Sequence, residues 1–344
     1  MQEIRLAIMG LGNIGRNLLD ILVARQQANE RAYGVKIMVT GVADSSGTAV
    51  CPSGLDAAAL RDLKLARKGV ATCHGAGRPG QTALEMLQDL EYDVLLDAAP
   101  TNIQDGEPGL SCVRHSLAQG RHVIMADKGP LVLAFGELAN LAREHGARLL
   151  YSATVAGGLP TVNIGVRDLA GSGVTRVEGI FNGTTNYILT RMAEEGIEYP
   201  EALAGAQAAG IAEADPTLDV DGWDAANKLV IIANSVLRRP TALADLQVRG
   251  IRDVTLRDLQ AAQERGQVIK PLAIAQWTGS DYQLTVGPVA LDARHPMALT
   301  GMWDMGVVYH TDYMGVISAV IEEKGPVPTS AAVLRDILSI YTGY

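Results

Sequence analysis

Short apolar runs alternate with helical segments over the first 150 residues. The runs are rich in Val, Ile and Leu, which is typical of strands buried on both faces of a parallel sheet. They are Ile4–Met9, Lys36–Ala43, Asp93–Ala98, His122–Met125 and Arg148–Tyr151. A helix is predicted over Pro130–His145, with Pro in its first turn and Gly146 just after its end. The alternation predicts an α/β domain over residues 1–150, built on a doubly wound parallel sheet.

The pattern changes after Tyr151. A glycine-rich turn, Ala156–Pro160, is followed by strands and helices that no longer alternate, which predicts a second domain of α+β type over residues 151–308. The predicted strands are Val174–Phe181, Leu272–Thr278 and Tyr282–Val289, and the predicted helices are Thr185–Glu195, Pro200–Ala209, Gly222–Leu237 and Leu256–Arg265. The pattern alone does not assign residues 309–344 to either domain.

Composition narrows the classes of protein. A chain of 344 residues with 48% hydrophobic and 19% charged residues is of ordinary globular type and long enough for two domains. A net charge of −9, with no basic run interleaved with aromatics, argues against nucleic acid as a partner. Three scattered cysteines without a C-x-x-C pair favour a reduced compartment. Without a signal-peptide pattern or a long apolar run, we expect a cytoplasmic protein with no membrane partner.

A glycine motif, Gly10–Leu11–Gly12–Asn13–Ile14–Gly15, follows the first predicted strand and begins a helix. In that context the first glycine permits a tight turn, the second lets a pyrophosphate approach the backbone, and the third lets helix and strand pack closely. The N–H groups at the start of the helix can then bind the phosphates. The motif predicts a Rossmann-type, dinucleotide-binding first domain.

The second predicted strand ends at Asp44. A carboxylate at this place commonly accepts hydrogen bonds from the ribose hydroxyls of NAD and repels the 2′-phosphate of NADP, which favours NAD. Two alternatives stay open, since Ser45 and Ser46 could contact a phosphate, and Asp44 could instead cap its own loop.

Two later turns follow predicted strands at the same carboxyl edge of the sheet. They are Ala98–Asn102, which contains Pro100 and Thr101, and Ala126–Pro130, which contains Lys128. Open α/β sheets bind ligands at this edge, so both turns are expected to face the cofactor. By itself, a lysine at the position of Lys128 is more often a surface cation than a catalytic residue.

An acidic segment precedes the most apolar predicted helix of the second domain. Its carboxylates are Glu213, Asp215, Asp219, Asp221 and Asp224. An EF-hand alignment would put Lys228 where a bidentate Glu is required, so a calcium loop is excluded. Asp221 is instead predicted to be the N-cap of the helix. An exposed Asp224–Lys228 ion pair is one interpretation, but Lys228 runs into Leu229–Ala233, which indicates a buried lysine that could act as a proton donor.

Together these motifs resemble those of homoserine dehydrogenases, over nearly the whole chain. The matching stretches are Gly10–Gly15, the turn with Lys128, Thr154–Pro160, Gly179–Leu189, Glu213–Lys228 and Pro328–Leu338. The resemblance implies an NAD(P)-dependent oxidoreductase that interconverts L-homoserine and L-aspartate 4-semialdehyde, in the biosynthesis of threonine, methionine and isoleucine.

The resemblance also implies roles for individual residues. Lys228 corresponds to the proton donor, Asp224 to the group that orients it or a bound water, and Lys128 to a second lysine near nicotinamide and substrate. Glu213 would bind the substrate's ammonium group. The implied substrate contacts are Glu213, Asp219, Lys128, Asn182, Gly183 and Thr184, and the implied cofactor contacts are Gly10, Gly12, Asn13, Ile14, Gly15, Asp44, Ser45, Pro100, Thr101 and Lys128.

One position departs from the family pattern. Many members have Glu where this chain has Ser152, and there the carboxyl group and backbone carbonyls hold a sodium or potassium ion. The carbonyls of Val155 and Gly157 are candidates for such an ion here, but the missing carboxyl group argues against it.

The family also implies a homodimer formed through the sheet of the second domain, and a C-terminal segment, residues 309–344, that returns to the first domain. Several relatives carry a further domain that senses threonine, whereas this sequence ends at Tyr344, so feedback through such a domain is not expected.

Two alternatives remain. Another two-domain dehydrogenase with a lysine acid would keep Gly10–Gly15 and Lys128 but has no reason to contain Glu213–Lys228. A non-catalytic NAD-sensing protein is expected to lack one of the two lysines or Asp224, and all three are present.

Overall fold

A computed structural model describes residues 1–343 and divides into two compact units. The first unit comprises residues 1–158 together with 325–343, and the second comprises residues 159–324. A seven-stranded sheet forms the centre of the first unit and a six-stranded sheet that of the second. Within the described part of the chain, none of the helices is long and apolar enough to cross a membrane.

Strands and helices alternate along most of the first unit. Its elements are β1 (Gln2–Met9), α1 (Asn13–Tyr33), β2 (Val35–Asp44), β3 (Gly47–Val50), α2 (Ala57–Leu65), β4 (Gly77–Pro79), α3 (Ala83–Asp89), β5 (Val94–Asp97), α4 (Gly109–Ala118), β6 (His122–Met125), α5 (Gly129–Glu144) and β7 (Leu149–Leu150). Short 3₁₀ turns lie at Val70–Thr72 and Ser152–Thr154.

The strand order of the first sheet is β4-β3-β2-β1-β5-β6-β7. Strands β2, β1, β5, β6 and β7 are parallel, and every residue of β5 is buried. This confirms the predicted doubly wound parallel sheet. Strands β3 and β4 pair antiparallel at one edge; they were not predicted, because runs this short contain too few positions to show a period. The order reverses between β1 and β5, where ligands bind in such sheets.

The second unit is of mixed α and β composition. Its elements are α6 (Thr161–Asn163), β8 (Val174–Ile180), α7 (Gly183–Glu195), α8 (Tyr199–Ala208), α9 (Thr217–Val220), α10 (Trp223–Ser235), β9 (Gln247–Val248), α11 (Leu256–Glu264), β10 (Gln267–Trp277), β11 (Tyr282–Asp292), β12 (Asp304–Thr311) and β13 (Val316–Glu322). The sheet order is β13-β12-β8-β10-β11-β9, with β9 parallel to β11 and the other pairs antiparallel.

The start of α10 differs from the prediction. Its N-cap is Gly222, with φ of +88°, and not Asp221. Asp221 instead ends α9, and its carboxylate accepts a hydrogen bond from the Arg252 guanidinium. Trp223, the first residue of α10, is 41% exposed. Gly222 separates the one-turn helix α9 from α10, and the first buried residue of α10 is Ala225.

The return of the chain to the first unit lies later than the predicted position at residue 309. Residues 309–311 and 316–322 belong to β12 and β13 of the second sheet, because β12 pairs with β8 and β13 pairs with β12. The chain rejoins the first unit only at Gly325, where helix α12 (Val327–Thr342) follows. The hydroxyl of Ser330 on this helix donates to the carbonyl of Ile14, 2.9 Å away. Tyr344 lies outside the described residues.

Candidate active site

The three glycines of the motif at the junction of β1 and α1 differ in their surroundings. Gly10 has φ of +90°, and a Cβ there would lie 2.4 Å from the carbonyl oxygen of Ala98. A Cβ on Gly15 would lie 2.3 Å from the carbonyl oxygen of Gly10. At Gly12, by contrast, no heavy atom of the described residues other than those of Gly12 and its neighbours along the chain comes within 4 Å of where a Cβ would be. Two of the glycines are therefore required for packing, while the third leaves open space above the backbone.

That space lies at the N-terminus of α1. Gly12 is the N-cap of this helix, and among residues 1–343 no side chain caps it. The first N–H groups of an α-helix have no partner within the helix, and together with the helix dipole they favour an anion. The residues present thus fit the diphosphate of a dinucleotide, which a Cβ at Gly12 would obstruct.

The Asp44 carboxylate lies at the carboxyl end of β2 and is bound within its own loop. One oxygen accepts from the N–H and the hydroxyl of Ser46, at 2.9 and 2.6 Å. The other accepts from Lys64 Nζ at 2.6 Å and from the Val70 N–H at 3.1 Å. Burial alone would raise the pKa of Asp44, but these hydrogen bonds outweigh it and hold the pKa below its ordinary value. Asp44 is therefore charged, and Lys64 is its partner.

Two buried carboxyl groups, missed from the sequence, lie at the ends of β5 and β6. Asp97 is completely buried and Asp127 is 2% exposed. A Cβ on Gly109 would lie 2.7 Å from Asp97 Oδ2 and 3.1 Å from Asp127 Oδ2, so both carboxyl groups face one small space. Burial raises the pKa of both, and the charge of Asp127 raises that of Asp97 further.

These carboxyl groups hold the two turns expected to face the cofactor. Asp97 accepts from the N–H of Ala99 at 3.1 Å, and Asp127 accepts from the N–H of Gly129 at 2.9 Å. Lys128, between Asp127 and Gly129, is half-buried, whereas Thr101 is exposed in the turn after β5. Each carboxyl group lies at the end of a strand already singled out, which was the available signal.

Lys228 on α10 has two strong acceptors. Its Nζ atom donates to Asp224 Oδ2 at 2.7 Å and to the carbonyl of Phe181 at 2.5 Å. The Lys228 and Asp224 side chains are only 13% and 16% exposed. The interpretation as an exposed ion pair is therefore excluded, and the lysine lies in a largely enclosed position.

Asn182 joins the carboxylates of this group. As the N-cap of α7 it accepts from the N–H of Thr185 at 2.9 Å. Its Nδ2 donates to Asp219 Oδ1 at 2.7 Å and to Asp224 Oδ2 at 2.8 Å. Burial raises the pKa of Asp219, and the nearby charge of Asp224 adds to this rise. The junction of β8 and α7, helix α9 and helix α10 therefore converge on one polar network around Lys228.

The remaining substrate residues predicted in the second domain are Gly183, Thr184 and Glu213. Gly183 begins α7, and the Thr184 hydroxyl donates to the carbonyl of Ile211 at 3.3 Å. Glu213 lies in an exposed turn after α8, where its backbone carbonyl accepts from Gln207 at 3.1 Å. The structure brings Asn182, Asp219, Asp224 and Lys228 together, and it places the side chain of Glu213 at the surface.

Each of the two units matches a family model of known proteins. Residues 160–338 match the family model described as homoserine dehydrogenase, and residues 10–152 match the model of its NAD binding domain. The chain belongs to the homoserine dehydrogenase family. It is therefore an NAD(P)-dependent oxidoreductase acting on a small molecule, in the pathway to threonine and methionine, which confirms the family and enzyme class predicted from the sequence.

Individual relatives align over almost their full length. A homoserine dehydrogenase of Methanocaldococcus jannaschii is 33% identical over 97% of this chain and 97% of its own. An NAD(+)-dependent homoserine dehydrogenase of Pseudomonas canavaninivorans is 34% identical over 99% of this chain and 97% of its own. The crystal structure of homoserine dehydrogenase from Thermoplasma acidophilum has a TM-score of 0.83 at 27% identity, and covers 98% of this chain and 99% of that one.

The different surroundings of Gly12 and Gly15 predict that substitution of the first impairs cofactor binding and that substitution of the second impairs folding. Gly12→Ala should leave the melting temperature within about 2 °C of wild type and raise the KM for NAD(P) roughly tenfold, because its methyl group fills the approach to the diphosphate. Gly15→Ala is the matched control: its methyl group would lie 2.3 Å from a backbone oxygen, so it should lower the melting temperature by more than about 4 °C. Equal destabilisation by both, or an unchanged KM in Gly12→Ala, would contradict this.

Proposed function

We propose that Lys228 is the general acid when the chain reduces L-aspartate 4-semialdehyde to L-homoserine. Bound NAD(P)H supplies the hydride for the carbonyl carbon. Lys228 supplies the proton for the carbonyl oxygen, and in the reverse direction it takes up the proton of the hydroxyl. An ammonium group has three N–H donors, and Asp224 and the Phe181 carbonyl accept two of them. The third is left for the substrate oxygen, and this arrangement carries the proposal.

Asp224 and Asn182 keep the Lys228 ammonium in one orientation. A single carboxylate oxygen, Asp224 Oδ2, accepts from both Lys228 at 2.7 Å and Asn182 at 2.8 Å. Rotation of the Asp224 carboxylate would break both hydrogen bonds. The Phe181 carbonyl supplies a second fixed acceptor, so the donor that remains has a defined direction. Pre-set geometry of this kind is what general acid catalysis requires.

We assign the other predicted site residues to substrate binding. The substrate is an amino acid with an ammonium and a carboxylate, and each is best bound by a group of opposite charge. Asp219 and Glu213 are assigned to the ammonium side, and Asn182, Gly183 and Thr184 to neighbouring contacts. Lys128 is assigned to the second lysine position, near nicotinamide and substrate.

Removal of the proposed acid should slow the chemical step. Lys228→Ala is expected to lower kcat about 100-fold or more, the usual scale for a lost general acid, measured by NAD(P)H absorbance with L-homoserine or L-aspartate 4-semialdehyde. Lys324→Ala, at a lysine with 58% of its side chain exposed, is the control and should keep wild-type kcat. A loss of less than about threefold in a folded Lys228→Ala protein would show that another group transfers the proton.

We propose that the chain prefers NAD over NADP. Asp44 keeps its negative charge at the end of β2, where it would attract ribose hydroxyls and repel a 2′-phosphate. The relative from Pseudomonas canavaninivorans, 34% identical, is named as NAD(+)-dependent. Lys64 lies 2.6 Å from the carboxylate, so part of the Asp44 charge is already compensated. The preference therefore depends on the balance between these two side chains.

Asp44→Ser should shift that balance. The ratio of kcat/KM for NAD to kcat/KM for NADP is expected to fall about tenfold or more, because the repelling charge is lost while the Lys64 ammonium remains. Asp62→Ser, at an exposed carboxylate on α2, should leave the ratio unchanged. An unchanged ratio in Asp44→Ser would show that Asp44 does not distinguish the ribose of NAD from that of NADP.

We propose that the chain acts in the cytoplasm as a homodimer joined through the sheet of its second unit. The edge strand β13 supports this, since Val316 and Val320 on one face of it are 61% and 49% exposed. Exposed apolar side chains on an edge strand are typical of an interface.

Sedimentation velocity should give twice the chain mass of 36.4 kDa. Val316→Lys combined with Val320→Lys should shift the protein towards monomer, because two charges would have to be buried at the interface. Val23→Lys, at a residue on α1 that is 44% exposed, is the control and should stay dimeric. A monomeric wild type, or a dimer that both changes leave intact, would contradict the proposed interface.

A further inference from the structure

Helix α12 holds the segment Ser152–Gly158, at the end of the main part of the first unit, through a buried carboxylate. Ser152 is 2% exposed and Asp336 is 1% exposed. The Ser152 N–H donates to Asp336 Oδ2 at 2.9 Å, and the Ser152 hydroxyl donates to Asp336 Oδ1 at 2.6 Å. Both oxygens of one carboxylate are thus fixed on a single residue of the segment.

Arg335, which precedes Asp336 on α12, contacts both ends of the same segment. Its Nη2 donates to Ser152 Oγ at 3.1 Å, and its Nη1 donates to the carbonyl of Gly158 at 3.4 Å. The guanidinium therefore bridges the first and last residues of Ser152–Gly158. The Ser152 hydroxyl accepts from Arg335 while it donates to Asp336.

This arrangement does not fit a bound sodium or potassium ion. Such an ion would have to draw oxygen atoms from this segment, where Val155 and Gly157 were the candidates. Position 152 offers a neutral hydroxyl that is already used as donor and acceptor, and the Gly158 carbonyl is directed at a guanidinium. A metal cation a few ångströms from that guanidinium would be repelled by it.

We propose that Arg335 is a built-in cation, whose guanidinium does for Ser152–Gly158 what a bound monovalent metal ion would do. Arginine suits this role because it stays charged at every physiological pH, is weakly hydrated, and presents several N–H donors in a fixed plane. Asp336 supplies the negative charge that the segment itself lacks. The chain then needs neither sodium nor potassium to hold this segment in place.

The wild-type protein tests the proposal directly. After dialysis into choline chloride, its melting temperature is measured in choline, sodium and potassium chloride at equal ionic strength, about 0.1 M, so that general screening is the same. The three values should agree within about 1 °C, because an ion that binds only the folded state would raise the melting temperature with its concentration. A saturable rise with sodium or potassium, absent with choline, would overturn the proposal.

Two substitutions separate a charge role from a packing role. Arg335→Met should melt about 4 °C or more below wild type in choline, since it leaves Asp336 buried without the neighbouring cation, and Arg335→Lys should recover most of this loss. Potassium or sodium should partly restore Arg335→Met, because the removed guanidinium leaves space beside Ser152 Oγ and the Gly158 carbonyl, which it contacts in the wild-type protein. Identical melting of Arg335→Met in all three salts would show a structural clamp only, against the proposal.

Arg148→Met provides the matched control. Arg148 also donates from its guanidinium to a carbonyl of α12, that of Ser339 at 3.2 Å, but outside Ser152–Gly158. This variant should melt within about 1 °C of wild type and show no difference among the salts. If Arg335→Met fails to fold, the salt comparison on the wild-type protein still decides the proposal.

Discussion

Moving a charged group out of water costs free energy, and this cost determines which partners surround the buried charged side chains of both units. A buried ammonium or carboxylate loses several kcal/mol of hydration energy unless a partner replaces the water. Lys228, 13% exposed, is met by Asp224 and the Phe181 carbonyl. Asp336, 1% exposed, is met by the two donors of Ser152. In each case the contacts that make burial tolerable also fix an orientation, so positioning follows from the same interactions.

The charge of the partner determines how burial changes the pKa of a titratable group. Lys270 is 2% exposed, and it donates to neutral acceptors on Asn186, Thr190 and Thr300. Burial lowers the pKa of Lys270 to about 8, because these partners carry no negative charge. Asp97 shows the opposite case: its pKa is raised well above the ordinary value by burial and then by Asp127. Burial also raises the pKa of Asp127, so both carboxyl groups are shifted towards the neutral form, in which their mutual repulsion is smaller.

The sequence predicted those parts of the fold that depend on local pattern. The parallel strands, the glycine motif and the buried position of Lys228 were all evident from neighbouring residues, since burial imposes a period on the chain. Contacts between distant residues left no such trace. Ser152 and Asp336 are 184 positions apart, and Lys64 is 20 positions from Asp44. The pairing of β12 with β8 was missed for the same reason, because register between strands is set by tertiary packing.

The guanidinium of Arg335 changes how the first unit is held together. An external ion binds according to its concentration in the medium, whereas a side chain on a folded helix is always present beside its site. The order of Ser152–Gly158 then depends on α12 and not on the salt in the medium, because Arg335 and Asp336 of this helix provide the charged groups that contact the segment. The same helix contributes Val333 and Ile337, both fully buried, to the core around β1. Since α12 contacts both the core and Ser152–Gly158, we expect a substitution that destabilises this helix to reduce order in the segment as well.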